Sequence, residues 1–188
     1  FTVSVLDANG CPSQGSTTIT EPPLLTSLVS STSNVTCFGL CNGFAQVTAG
    51  GGTPPYSYNW MPGSVSTSLA SGLCAGTYTC TITDLAGCSI IQSFTITQPA
   101  ALSVTAGSQT NVSCNGGSNG TASVTASGSS PFTYLWSNGA TTSSITGLAA
   151  GTYSVTVTGT GGCTTTSSVT ITEPSPLTAS ASAGTIAC

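Results

Sequence analysis

The amino-acid sequence predicts an all-β chain made of small antiparallel β-sandwiches in tandem, and three observations carry that prediction. The chain repeats itself: NVTC at 34–37 returns as NVSC at 111–114, Trp60 returns as Trp136, and GTY at 76–78 returns at 151–153. Within each copy Val, Ile, Thr, Tyr and Phe alternate with polar residues at a period of two, the mark of half-buried strands. Clusters of Gly, Asn, Ser and Pro punctuate those runs as tight turns, and no stretch carries an amphipathic helical period.

The run TITDLAGC at 81–88 matches SVLDANGC at 4–11 and TVTGTGGC at 156–163, while ITEP, ITQP and ITEP close the copies at 19–22, 96–99 and 171–174. Two full copies therefore occupy 23–99 and 100–174, with a period of 75–77 residues. Residues 1–22 read as the last strands of a preceding copy and 175–188 as the first strand of a following one. A two-strand tail is marginal alone in water, so the simpler expectation is that the natural chain continues both ways.

The elements follow in order. In the second copy the strand-like runs fall near 107–113, 120–126, 131–137, 140–147, 151–158 and 164–172. Between them lie the turn sequences NGGSNG at 115–120, SSP at 129–131, SNG at 137–139 and GTGG at 159–162. Six or seven short strands per copy suit a sandwich better than a closed barrel. Alternation then assigns the faces: Tyr58 and Trp60 share one side of their strand, as do Tyr134 and Trp136. Tyr78, Cys80 and Ile82 align with Tyr153, Val155 and Val157, and again with Phe1, Val3 and Val5. The expected core aromatics are thus Trp60, Trp136, Tyr58, Tyr134, Tyr78 and Tyr153.

Charge excludes most functions. The 188 residues hold no Lys, Arg or His and only four acids, for a net charge of −4 and a mean hydropathy of +0.32. Without cations the chain cannot make the phosphate contacts that dominate nucleic-acid affinity, hold a nucleotide by a P-loop lysine, or dock on anionic lipid. Without His it lacks the usual general base and the commonest metal ligand. No apolar run is long enough to span a membrane, so neither nucleic acid nor membrane insertion is expected. The absence of Lys and Arg also removes every trypsin site. The denatured chain should remain uncut by trypsin on a gel while chymotrypsin digests it.

The four carboxylates occupy two repeat positions. Asp7 and Asp84 precede the Gly-Cys of the last hairpin turn and read as local turn-bonding residues, while Glu21 and Glu173 sit at solvated strand ends. One carboxylate per junction is thin for calcium, and repeat-equivalent acids in separate copies cannot form a glycosidase pair. No catalytic, cofactor-binding or metal residue is assigned. The aromatic triplets read as core before they read as sugar platforms. Asn34, Asn111 and Asn119 begin N-x-S/T sequons.

Nine cysteines without paired CxxC knuckles predict a disulfide framework in an oxidising, extracellular setting. Two positions recur: one after the first strand (Cys37, Cys114, Cys188) and one in the last hairpin turn (Cys11, Cys88, Cys163). Pairing within a copy gives Cys37–Cys88 and Cys114–Cys163, and this is the favoured scheme. It rests on strand parity, since six strands bring the first and last turns to one end. Pairing across the junctions gives Cys11–Cys37, Cys88–Cys114 and Cys163–Cys188. Cys11 and Cys188 are expected to pair across junctions or outside the chain. Cys41, Cys74 and Cys80 occur only in the first full copy. Cys41 and Cys74 suggest an extra local bridge, and Cys80, standing where the second copy has Val155, suggests a buried free thiol.

The combination NVSCNGGSNGTASVTASG, YLWSNGATTSSITGLAAGTYSVTVT and GCTTTSSVTITEP at 111–174 resembles the SprB-type repeat of gliding-motility and cell-surface adhesins of Bacteroidota, and the first copy resembles it through NVTCFGLCNG, GGTPPYSYNW and GTYTCTITDLAGC. The W…GTYxVTVT pattern is similar to PKD and immunoglobulin-like domains, which implies a sandwich with a tyrosine near one corner. The resemblance further implies type IX secretion and display at the cell surface. The resulting expectation is a non-enzymatic, cofactor-free, disulfide-stapled repeat forming a stiff stalk or filament of an adhesin. Its expected partners are further copies of the repeat, in the same or neighbouring chains, with surface glycans or abiotic surfaces as the adhesive targets. The alternatives are a filament subunit that associates laterally and a carbohydrate-binding accessory module.

Overall fold

The alternating runs form strands in the computed structural model of the chain, which describes residues 1–182 and 184. Cys188 lies outside the described residues. β1 (Thr2–Leu6) and β2 (Pro12–Ser16) make an antiparallel hairpin whose apolar Phe1, Val3 and Val5 are exposed. The first full copy supplies β3 (Thr26–Ser33), β4 (Gly43–Gly50), β5 (Ser57–Met61), β6 (Leu69–Leu73), β7 (Gly76–Thr83) and β8 (Ser89–Ile96). The second supplies β9 (Ser103–Thr110), β10 (Gly120–Ser127), β11 (Thr133–Trp136), β12 (Ser144–Leu148), β13 (Gly151–Thr158) and β14 (Thr164–Ile171). Each copy thus has six strands, in two three-stranded sheets: β3-β4-β6 with β5-β7-β8, and β9-β10-β12 with β11-β13-β14.

The chain divides into two compact units. One holds residues 1–33, 44–71 and 76–95; the other holds 34–43, 72–75 and 96 onward. The loops 34–43 and 72–75, first-copy residues by sequence, therefore belong with the second copy by contact.

In the second unit, the two inner sheet faces meet over one core. Ala122 and Val124 of β10 and Ile145 and Leu148 of β12 pack with Trp136, Val155, Val157, Val169 and Ile171 of the opposing sheet. Strand parity does this work: on β13 Val155 and Val157 point inward while Ser154, Thr156 and Thr158 point outward. Gly120 opens β10 because the approach is too close for a side chain: a Cβ there would sit 2.8 Å from Ile171 Cγ2 and 2.9 Å from the Leu148 carbonyl oxygen. The outer faces carry no charge pairs but cross-strand hydroxyl pairs, such as Thr152 with Thr170 at 3.1 Å and Thr110 with Thr121 at 2.8 Å.

In the first unit Leu25, Ala45, Val47, Trp60, Ala70, Tyr78, Cys80 and Ile82 are buried. Phe94 meets Trp60 edge-on at 5.5 Å and stacks on Tyr78 at 5.9 Å, arrangements that suit the ring quadrupoles. Each tryptophan directs its indole N–H to a carbonyl, Thr67 in the first copy and Thr142 in the second, both at 2.8 Å. Tyr78 is buried, whereas Tyr58, Tyr134 and Tyr153 are half-buried at the rims. The Tyr153 hydroxyl donates to the Ala149 carbonyl four residues upstream.

Two strands depart most from the sequence reading. The run at 140–147 begins its strand only at Ser144, because residues 136–142 wrap the indole in a turn. There Gly139 N–H donates to the Trp136 carbonyl, Trp136 N–H to Ala140, and Ala140 N–H to the Asn138 side chain. The first strand of that copy runs 103–110 rather than 107–113, since Asn111 to Ser113 already belong to the cysteine loop described below.

Removing the Trp136 side chain by Trp136→Ala should cost about 3–5 kcal/mol in denaturant unfolding. Burial pushes the Cys80 thiol up from its ordinary value. Its contribution to stability is therefore whole below the ordinary thiol range and is lost as pH climbs through the raised value. Cys80→Val, the residue of the second copy, should flatten that alkaline loss above about pH 9 in urea titrations. The wild-type thiol should alkylate far more slowly than Cys88 or Cys114.

Candidate functional site

Three of the four carboxylates serve the backbone. Asp84 is buried, its two oxygens accepting from Cys88 N–H at 2.8 Å and Thr53 N–H at 2.9 Å. Asp7 accepts from Asn9 and Cys11 N–H in the same type of turn. Glu173 is more than a solvated strand end: its carboxylate takes Gly116 N–H at 2.7 Å, and Gln98 does the same for Gly39 at 2.8 Å. Among the described residues no three His, Cys, Asp or Glu gather as a metal site. The chemistry that remains is thiol chemistry.

Among the described residues two disulfides are formed, Cys37–Cys163 with Cα atoms 5.7 Å apart and Cys41–Cys74. Cys41–Cys74 is the local bridge that the sequence suggested, closing a separation of 33 residues. Cys37–Cys163 fits neither scheme read from the sequence, and Cys88, Cys114 and Cys11 are free and exposed, with Cys80 free and buried. The within-copy pairs Cys37–Cys88 and Cys114–Cys163 are therefore corrected, as are the junction pairs Cys11–Cys37, Cys88–Cys114 and Cys163–Cys188.

The physical reason is the strand path. The turn that carries Cys163 lies at the start of its copy: Thr160 bonds to the Ser129 and Ser130 carbonyls, and Gly159 abuts Leu102. The Cys114 loop lies at the other end, where Val112 N–H donates to the Thr172 carbonyl. Counting strands predicts the same end only if every connection reverses direction. β10 ends beside the Cys163 turn, where Ser129 and Ser130 bond Thr160, and β11 starts there, Thr133 facing Thr158. β11 thus reverses β10, and because β12 is also antiparallel to β10, β11 and β12 run the same way and the expected parity inverts. Every copy thus has a leading end with the hairpin-turn cysteine and a trailing end with the loop cysteine.

The loop itself is built identically twice. Asn34 and Asn111 accept from Thr97 and Thr172 N–H at 2.9 and 3.0 Å. Asn42 and Asn119 each bond both the backbone and the hydroxyl of the residue before the cysteine, Thr36 or Ser113, at 2.7–3.1 Å. Val35 and Val112 are buried as anchors. The sequons at Asn34, Asn111 and Asn119 are in this sense structural. Sequence reasoning missed Asn42, Gln98 and Glu173 as loop braces. The signal was available, because an asparagine recurs five residues after both loop cysteines.

Where the Cys37 loop meets the Cys163 turn, Phe38 and Leu40 line a cleft of about 240 Å³ with Ala101, Leu102 and Thr164. Gly161 is required there: its φ is +77°, and a Cβ would run into the Thr36 carbonyl oxygen.

This architecture defines a tandem repeat protein of disulfide-stapled, immunoglobulin-like antiparallel sandwiches. The SprB repeat family matches residues 29–65 and 106–141, one stretch in each full copy. No curated protein matches the sequence. Among solved structures, the chain is similar to extracellular domains 3–5 of Drosophila OTK, at 15% identity and a TM-score of 0.40, covering 93% of this chain and 70% of that one. It is similar to domains 1–6 of the surface layer protein SbsC at 16% identity and 0.33, covering 84% and 29%. It is also similar to an amphioxus IgVJ-C2 molecule at 16% identity and 0.28, covering 81% and 98%. The repeat family supports an extracellular structural module, and no described helix is long and apolar enough to cross a membrane.

The Cys37→Ser/Cys163→Ser double variant should lose about 2–5 kcal/mol of stability, read by denaturant unfolding without reductant. Gly161→Ala should slow formation of the Cys37–Cys163 bond during oxidative refolding, followed by thiol titration.

Proposed function

We propose that the chain is part of an extracellular stalk, in which successive repeats resist bending and unfolding while an adhesive element elsewhere meets its target. The observation that carries this reading is the Cys37–Cys163 disulfide, which joins the trailing cysteine of one copy to the leading cysteine of the next. A link of 126 residues removes much of the conformational freedom of the unfolded chain. The junction prolines Pro22, Pro99 and Pro174 narrow the backbone choices at the same places. A surface without Lys or Arg carries hydroxyl groups instead of charges, which suits a protein exposed to proteases and to copies of itself. The resemblance to SprB-type repeats supports placing this stalk in a cell-surface adhesin exported by the type IX route.

Small-angle scattering decides the matter. The oxidised chain is expected to scatter as a stiff particle, and the Cys37→Ser/Cys163→Ser variant as a broader ensemble; equal flexibility of the two would overturn the proposal. A second reading, lateral association of stalks, is favoured by the exposed Leu28, Ile91 and Leu135 on uncharged strands. It predicts a concentration-dependent mass in sedimentation, and a monomer at high concentration would exclude it.

A further inference from the structure

We propose that the groove at Cys88 is a socket for the cysteine loop of another copy of this repeat, closed by a disulfide to Cys88. The closed version of the site is present within the second unit. There the Cys37 loop seats Phe38 and Leu40 against Ala101, Leu102 and Thr164, and Cys37 bonds Cys163. By repeat register, Leu24, Leu25, Cys88 and Ser89 are the counterparts of Ala101, Leu102, Cys163 and Thr164. Those four residues line an open groove of about 450 Å³, extended by Pro22, Pro23 and Ile90. Its walls are mostly apolar, and the Cys88 thiol at its side is exposed and unbonded.

The loop frame that would enter it is also present, with Asn115 and Gly117 where Phe38 and Leu40 fill the closed site. The Cys114 loop repeats the Cys37 loop bond for bond: the asparagine clasp, the carbonyl of the cysteine accepting from the residue three positions on, and a glycine at φ +75° against +78°. Its thiol is likewise exposed and unbonded. A loop already held in its bound shape loses little entropy on docking. The pairing rule seen at Cys37–Cys163, trailing cysteine to the leading cysteine of the next copy, accounts for Cys11, Cys88 and Cys114 together. Each would find its partner only on a copy other than the two full ones described, whereas the buried Cys80 has no repeat counterpart.

The bond forms by thiol–disulfide exchange with a small disulfide donor. One protein thiolate attacks the donor and releases a thiol; the second protein thiolate then attacks that mixed disulfide and releases the other. Two electrons and two protons pass from the protein thiols to the donor. Two departures bear on the fit: the loop lacks the apolar side chains of Phe38 and Leu40, and Ala86 stands where Gly161 admits the Thr36 carbonyl.

This inference rests on the tandem-linkage part of the stalk reading, not on stiffness. A chain that links as described yet bends freely keeps the socket and loses the stalk. The test incubates the intact chain with oxidised glutathione and maps cross-links in the multimers by non-reducing peptide mass spectrometry. The expected product joins Cys114 of one molecule to Cys88 of another, about tenfold more often than to Cys11, whose hairpin lacks the apolar walls. Cys114→Ser should abolish it, while Asn115→Phe, which restores the Cys37-type plug, and Ala86→Gly should each raise its yield. Predominant Cys114–Cys114 or Cys88–Cys88 links, a Cys88–Cys114 bond within one chain, equal use of Cys11 and Cys88, or glutathionylated monomer alone would each overturn the proposal.

Discussion

The direction in which the chain crosses between its two sheets is the constraint on which the rest depends. Residues 137–143 leave one sheet and enter the other without reversing the strand direction, held by the turn around Trp136. Because β11 and β12 then run the same way, the loop cysteine and the turn cysteine of a copy sit at opposite ends. A thiol at each end cannot staple its own copy, since a disulfide needs Cα atoms within about 7 Å. It can reach only a neighbour. The connectivity is thus a consequence of the indole: a buried tryptophan whose N–H takes the Thr142 carbonyl prevents residues 137–143 from becoming strand.

Stability in so uncharged a chain comes from burial and from hydrogen bonds between neutral groups. Ion pairs are impossible between side chains of one sign, and the role they usually play on strand surfaces passes to hydroxyls. Ser103 with Ser127, Thr110 with Thr121 and Thr152 with Thr170 face one another across their ladders. Each such pair contributes only a few tenths to about 1 kcal/mol, but none depends on salt or weakens with pH near neutrality. Asp7, Asp84 and Glu173, relieved of pairing, become backbone acceptors. Asp84 and Glu173 orient a turn and a loop that each carry a cysteine, so the scarce charges act on the thiol framework.

The strands, the inward faces and the nature of the cysteine positions were legible in the sequence because they are local properties. A period of two selects Val155 and Val157 for the core whatever lies opposite. Cys80 reads as a core residue because its counterpart is Val155, and Cys41 and Cys74 read as a pair because they arrive together. Half-burial of Tyr58, Tyr134 and Tyr153 was not legible, since alternation names a face but not how far along it the opposing sheet extends. The brace of Asn42 on Thr36 escaped notice because side-chain-to-backbone bonds in loops leave no periodic trace.

What the sequence determined by itself is the repeat, the all-β class, the absence of ionic chemistry and the two thiol positions per copy, since each follows from residue identity and near-neighbour spacing. The tertiary structure alone decided which thiol meets which. Pairing depends on whether one connection between sheets reverses the chain, and that is set by packing around Trp136, not by the number of strands. Tertiary contact likewise decided that residues 34–43 gather with the second copy, because a loop joins whatever surface its own strand ends deliver it to.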